Sequence, residues 1–391
     1  LLALCSSGAV GSFSAFVKSL ARSHKLAKLG EASFSEVFSA VHQRTKASSV
    51  LKVIPFGNLN AKIEQTEVPN LVNELRITQA LAAVDGFARV LATHVVQGEY
   101  SADLLDLWDD YDKLKGSANT RPDFYASDQH YCIIVLENAG TDLEHFVLNS
   151  WKEAASIFWQ TVKALTAAEQ ALNFEHRDLH WGNIVLEATD ETPEEMLRKM
   201  RISDGADVED RSLHESHDIR VTVIDFTLSR AKIGDDVVYT PLDDPALFEG
   251  KNDYQFDVYR FMRKHFAPLD LPAGKNRKLR LDGTTEFDWA EYRPKTNVLW
   301  LHYLSERLLN HKSLLRPRRF REIMSSIEFG KGDFSELDAF RSIDSAYRML
   351  HPGKKKFGSA AKEGFSSFGS AGDVLLWGES AGVAYLPRDR W

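Results

Sequence analysis

The chain has 391 residues, of which 43% are hydrophobic and 27% charged, and its formal net charge at pH 7 is -8. Such a chain can build two cores and has no general electrostatic pull towards nucleic acid. No apolar run approaches the ~18 or more residues of a membrane span, and Cys5 and Cys132 have no Cys or His nearby at metal-ligand spacing.

Two cysteines suit a reducing compartment. The stretch Leu1 to Val10 is apolar but lacks an initiator methionine and a basic segment, so it reads as the cut start of a longer chain rather than a signal peptide. Phe13, Phe16, Val17 and Leu20 recur at helical spacing within residues 12–22. Residues 28–38 read as strand, turn, strand, and 49–54 as a third strand that Pro55 to Asn60 breaks. Leu71, Leu75, Thr78 and Leu81 predict a helix over 68–83 that also carries Glu74. A β-rich run spans 90–96. Residues 99–130 read as polar and irregular, punctuated by Gly116-Ser117-Ala118-Asn119 and Pro122, and 131–137 as a strand. The first 136 residues are thus expected to be sheet-rich with one main helix.

After Gly140 the pattern becomes helical. Helices are expected over 142–148 and 152–173, the second with a stripe of Phe158, Val162, Leu165 and Leu172. Residues 187–220 read as a long acidic surface insertion between two strands. Further helices are expected over 253–265 and 296–311. Basic residues gather at Arg316, Arg318, Arg319 and Arg321. Residues 353–373 are rich in Gly, Ser and Lys and read as loose, with a last packing element at 373–377. No internal repeat is visible. The expected organisation is α+β, with a β-rich part over 1–136 and a mainly helical part over 137–391.

The chemistry concentrates in His176-Arg177-Asp178-Leu179-His180-Trp181-Gly182-Asn183, followed by the apolar run Ile184-Val185-Leu186. Asp178 can accept a proton from a hydroxyl. Asn183 can offer a neutral oxygen to a metal ion. A second apolar run, Val221 to Ile224, ends in Asp225. If the two runs pair as a hairpin, Asn183 and Asp225 reach the same end and suit magnesium bridging nucleotide phosphates, with a base beside them. The order of the remaining parts agrees: a turn at Gly30 to Val37, a strand lysine at Lys52, a helix acid at Glu74, then Asp178, Asn183 and Asp225. Each has a plainer reading alone: a β-turn, a surface Lys and Glu, a capping Asp, a turn Asn. Asp225 is the exception, because an unpaired carboxylate at the end of a buried strand is costly.

These residues resemble the haspin kinases, divergent eukaryotic protein kinases, over about Lys28 to Trp377. The resemblance rests on the 176–183 string, on Asp225-Phe226-Thr227-Leu228-Ser229-Arg230, on Gly116 to Asn119 with Arg121 to Phe124, on Asp253-Tyr254-Gln255-Phe256-Asp257 and on Asn297-Val298-Leu299-Trp300-Leu301-His302-Tyr303-Leu304. It implies the two-lobed protein kinase fold and transfer of the ATP γ-phosphate to a threonine near the amino terminus of the histone-three tail. It also implies a nuclear, mitotic role on chromatin, and a monomer that binds neither nucleic acid directly nor membrane.

By the same resemblance, ATP and magnesium are expected in the cleft between residues 1–136 and the rest. Gly30, Glu31, Ala32 and Val37 would cover the phosphates, Lys52 paired by Glu74 would contact them, and Asn183 and Asp225 would hold the metal. Leu136, Glu137 and Ala139 would receive the adenine and Asp142 the ribose. Asp178 would be the base, and Asp257 would hydrogen-bond the catalytic-loop backbone. Glu144, His180, Asp243 and Asp244 would meet the basic peptide. In haspins the last segment usually has two acids separated by one residue, and here the second aligns with Ala246. Ala32 and Ser35 stand where loop glycines are usual. Thr227 stands where most kinases have glycine, which predicts a rigid segment after Asp225. Two alternatives remain open at this level: a small-molecule kinase of choline or aminoglycoside type, and a chromatin-binding pseudokinase.

Overall fold

The computed structural model describes residues 1–32, 35–57, 65–189, 218–266, 287–316, 335–352 and 368–384. The chain forms two compact units, one of Leu1–Asn138 with Phe226–Thr240 and one of Ala139–Asp225 with Pro241–Trp391. The fold is α+β, with a β-sheet unit and a mainly helical one.

The first unit is built on a six-stranded sheet of β1 (Val10–Ser12), β2 (His24–Ala32), β3 (Ser35–His42), β4 (Ser48–Phe56), β5 (Val90–Gln97) and β6 (His130–Glu137). The strand order is β1-β5-β6-β4-β3-β2, antiparallel throughout except β1 beside β5. Side chains alternate across a strand, and here the alternation divides two cores. Leu51, Val53, Val96 and Ile133 face α1 (Phe13–Ala21) and α3 (Ala102–Lys115), where Phe13, Val17 and Leu104 meet them. Ile54, Val95, Cys132 and Ile134 face α2 (Val68–Leu81), through Leu71 and Leu75. Lys52 has the parity of Ile54, so its side chain emerges towards α2.

Three sequence expectations fail here and in the next unit. Residues 99–130 are not irregular: α3 runs for 14 residues on buried Leu104 and Trp108, and ends at Gly116, whose φ of 77° turns the chain. Among the described residues it joins α1 and α2, where one main helix was expected. Pro55 does not break the strand, because the β3 ladder stops at Glu36 opposite Val53, so the missing N–H of Pro55 costs no bond on that side. The third failure is the expected helix over 142–148. The chain there makes β7 (Thr141–Asp142) and one turn, closed by Phe146 N–H on Asp142 O at 2.9 Å.

The second unit holds a small sheet in the order β7-β8-β9, with β8 at Ile184–Thr189 and β9 at Asp218–Val223. These two form the expected antiparallel hairpin, with Ile184 opposite Val223. The helix α4 (Trp151–Leu172) starts at the Ser150 cap and is buried on nearly every side. Around it lie α5 (Ala246–Glu249), α6 (Tyr254–Phe266), α7 (Lys295–Asn310), α8 (Glu336–Leu350) and α9 (Ala371–Ser380). α8 was not foreseen; its start is a capping box between Ser335 and Asp338. α9 begins within the stretch expected to be loose. Among the described residues no helix is long and apolar enough to cross a membrane. Most of the 187–220 insertion, Arg318, Arg319, Arg321 and residues 353–367 lie outside the described residues.

Candidate active site

In the second unit the 176–183 loop is held from several sides. His176 is fully buried; its Nδ1 accepts from Asp178 N–H at 3.3 Å and its Nε2 donates to Ile224 O at 3.0 Å. Its backbone N–H donates to Asn297 Oδ1 of α7 at 3.0 Å, while the Asn297 amide donates to Glu169 Oε1 at 2.9 Å and Phe174 O at 3.0 Å. Burial pushes the His176 imidazole down to about 4, so it stays neutral at pH 7. Arg177 is buried with φ of 66°, and its guanidinium reaches Glu175 at 3.1 and 3.3 Å. It also lies 5.3 Å over the Phe266 ring.

Asp178 Oδ1 accepts a hydrogen bond from the Tyr259 hydroxyl of α6. Desolvation pushes the Asp178 carboxyl up to about 6; His180 and the Tyr259 bond oppose the rise and the Asp225 charge adds to it. The Asn183 amide nitrogen donates to Asp178 O at 2.8 Å, and this bond fixes the flip of the amide. The oxygen of that amide is therefore the atom left for a metal. Asp225 follows Ile224, whose N–H donates to Asn183 O at 3.0 Å, so the hairpin does bring the two candidate ligands to one end. Asp225 has φ of 62°, a left-handed conformation uncommon outside glycine. Among the described residues no group of three or more His, Cys, Asp or Glu forms a metal cluster. A carboxylate plus an amide oxygen suits magnesium, which takes its other ligands from phosphate and water.

In the first unit Lys52 Nζ and Glu74 Oε1 are 2.7 Å apart, and both side chains are largely buried. Val37 is opposite Lys52 in the β3–β4 register. The helix carrying Glu74 is tied to a second hairpin, β10 (Arg230–Ile233) and β11 (Asp236–Tyr239). Asn73 donates to Tyr239 O at 2.7 Å and Arg76 pairs with Asp236 at 2.7 Å. That hairpin begins just after Asp225-Phe226-Thr227, and Phe226 packs on Phe87 with ring centroids 5.9 Å apart.

Gly30, Glu31 and Ala32 end β2, and Ala32 pairs with Ser35 as the last rung of the hairpin. Glu31 turns its carboxylate to Ser117 and Ala118. Leu136 and Glu137 close β6 opposite Val50 and Ser49, and Ala139 is buried in the second unit. Gly140 then allows the chain to pass β8: its φ is 104°, and a Cβ there would sit 2.0 Å from Leu186 O. Asp142 Oδ1 accepts from His145 N–H at 2.9 Å.

Of the expected peptide-binding residues, Glu144 and His180 come together. Glu144 is exposed, with Oε2 3.9 Å from where a Cβ on Gly182 would be, and His180 Nδ1 accepts from Gly182 N–H at 3.0 Å. Asp243 and Asp244 are exposed on the turn into α5, where Asp244 Oδ1 accepts from Ala246 N–H at 2.9 Å. Arg260 steadies the far end of that turn by donating to Phe248 O and Gly250 O, both at 2.9 Å.

The family model for the haspin-like kinase domain matches residues 1–329. The chain belongs to the haspin kinase family. This is a serine/threonine-protein kinase family, and its curated members include several similar chains. The haspin homolog of Schizosaccharomyces pombe is 41% identical over 78% of this chain and 59% of its own length. Haspin of Bos taurus is 36% identical over 72% of this chain and 34% of its own length. The Arabidopsis thaliana homolog is 31% identical over 84% of this chain and 51% of its own length. The chain thus spans between a third and three fifths of these relatives.

One expectation taken from kinases at large is corrected in this haspin domain. Asp257 does not reach the catalytic-loop backbone. Its carboxylate pairs with Arg260 one turn on, at 2.8 Å, and about half of its side chain is exposed. Tyr259, two residues later, touches the 176–183 loop instead, at Asp178. The only sequence signal for Tyr259 was its place in the Asp257 to Arg260 string. Asn297 was visible only as the start of a family string, and Glu175 gave no signal at all.

Proposed function

We propose that this chain is the catalytic part of an ATP-dependent protein serine/threonine kinase of haspin type. It transfers the γ-phosphate to a threonine near the amino terminus of the histone-three tail, on mitotic chromatin in the nucleus, and works as a monomer. The formed Lys52–Glu74 pair carries the reading, since a lysine held by a helix glutamate is the arrangement a kinase needs at the α- and β-phosphates.

In this reading Asn183 and Asp225 hold magnesium, which when bound offsets phosphate charge. Leu136 to Ala139 receive the adenine through backbone groups, and Asp142 the ribose. Tyr259 occupies Asp178 Oδ1, so the other carboxylate oxygen orients the threonine hydroxyl and takes its proton as the oxygen attacks phosphorus. The bond to the β-phosphate oxygen breaks and ADP leaves with its electrons. Glu144, His180, Asp243 and Asp244 supply the acidic, hydrogen-bonding surface that a basic tail requires.

The test is phosphate transfer by the purified chain with ATP and magnesium, offering histone-tail peptide, choline and an aminoglycoside separately. Transfer to the peptide alone is expected. Transfer to choline or the aminoglycoside would replace the substrate assignment, and no transfer to any acceptor would point to a pseudokinase.

A further inference from the structure

The tip of the β2–β3 hairpin is clasped by a loop from the far side of α3. Asn119 Nδ2 reaches Ala32 O at 3.1 Å, Ser35 O at 3.4 Å and Glu36 Oε1 at 3.1 Å. Ser117 Oγ and Ala118 N–H each donate to the Glu31 carboxylate at 2.6 Å. Lys28, whose side chain is fully buried, joins the two acids from below: it bonds Gly30 O at 3.0 Å, Glu31 at 3.3 Å and Glu36. The Tyr111 ring covers it at 4.4 Å. The clasp is itself anchored. Ser117 N–H donates to Asp112 Oδ1 at 2.9 Å, and Arg121 grips Asp109 at 2.7 and 2.9 Å.

Two consequences follow. The clasp fixes Ala32 and Ser35, the last described rung of the hairpin, through the Asn119 side chain, where glycine-rich loops leave such positions free to move. With Lys28 it also holds the Glu31 and Glu36 carboxylates on the sheet face that Val53 shares, opposite to that of Lys52. Glu31 shows the balance: desolvation raises its pKa, yet the bonds from Ser117, Ala118 and Lys28 bring it below the ordinary range.

We propose that Asn119, with Ser117, is a positioning residue for the nucleotide phosphates, acting through the β2–β3 tip. This rests on the kinase reading above and assigns a role to residues outside the nucleotide-contacting set. The cost of ordering a loop on binding falls when the residues at its two ends are already held, as Ala32 and Ser35 are.

The experiment is calorimetric titration of the whole chain with magnesium ATP and, separately, with adenosine, which has no phosphates. Asn119→Ala should weaken ATP binding by about fivefold, the order of one net hydrogen bond, with adenosine affinity unchanged. Asn119→Asp places a third carboxylate beside Glu31 and Glu36 and should weaken ATP by more than tenfold, roughly. Ser117→Ala should lie between wild type and Asn119→Ala. Asn119 and Ser117 are partly exposed, so these variants should fold. Equal losses for ATP and adenosine would make the clasp merely structural and overturn the proposal, as would unchanged ATP affinity in Asn119→Asp. A wild-type chain that binds no nucleotide would remove the kinase reading itself, before any variant is compared.

Discussion

Removing one oxygen atom from Tyr259 should slow phosphate transfer without disturbing the fold. The ring of Tyr259 packs edge-on against Trp300, with centroids 5.4 Å apart, and beside Phe256 at 6.4 Å. Phenylalanine keeps those contacts and loses only the hydroxyl that donates to Asp178. A hydrogen bond to a charged group is worth about 1.5–3 kcal/mol. At about 1.4 kcal/mol per tenfold in rate, its full loss from the transition state is roughly a 10- to 100-fold fall in kcat. Asp178 is only partly buried, so water can replace the phenol and the lower end is expected. The assay is steady-state kinetics with histone-tail peptide, varying ATP and peptide separately, beside a thermal melt. Tyr259→Phe should show a lowered kcat, an ATP KM within about twofold of wild type and a nearly unchanged Tm. A kcat within twofold of wild type would refute the view that Tyr259 orients the base.

Other outcomes are expected from the same geometry. His176 is neutral in the fold and ordinary in the unfolded chain, so stability should be full above pH 6.5 and fall as pH drops from 6.5 towards about 4, by up to about 3 kcal/mol; denaturant melts of His176→Gln should lack this part of the slope. Activity should not need phosphorylation of the segment after Asp225, because Arg177 is committed to Glu175 and the β10–β11 hairpin is already bonded to α2. Inactive phosphatase-treated enzyme would contradict that. Asp244→Asn keeps an acceptor for Ala246 N–H but loses the charge, so it should raise the peptide KM more than the ATP KM, and more strongly at low salt; equal effects at low and high salt would place the reading of the tail elsewhere.

Strands β2 to β6, the 184–223 hairpin and helices α1, α2, α4, α6 and α7 were legible because their apolar periods are clean. The failures have specific causes. In α3 the buried stripe is short, Leu104 and Trp108 at i and i+4, and it is set among aspartates that resemble loop composition. Leu143, Val147 and Leu148 imitate a helix, but Lys312 Nζ takes the carbonyls of Leu143 at 2.6 Å, Glu144 at 3.2 Å and Phe146 at 2.5 Å. A distant lysine thus uses acceptors that a helix would need, and no local pattern encodes it. The candidate site divides in the same way. Lys52, Glu74, Asp178, Asn183 and Asp225 could be read from residue type and order. Tyr259, Asn297 and Asn119 act through contacts 81 to 128 residues away in sequence for the first two and 87 or fewer for the third, which spacing cannot reveal.

We propose Asp178 as the base of a histone-directed protein kinase. Its most direct test is site-mapped phosphorylation of the histone-three tail peptide by wild type and Asp178→Asn, with ATP binding measured on both. Phosphate on one amino-terminal threonine is expected from wild type. In the variant turnover should fall by ~10²–10⁴-fold with ATP affinity retained. Near-normal turnover in Asp178→Asn, or wild-type phosphate on no residue of the tail, would contradict it.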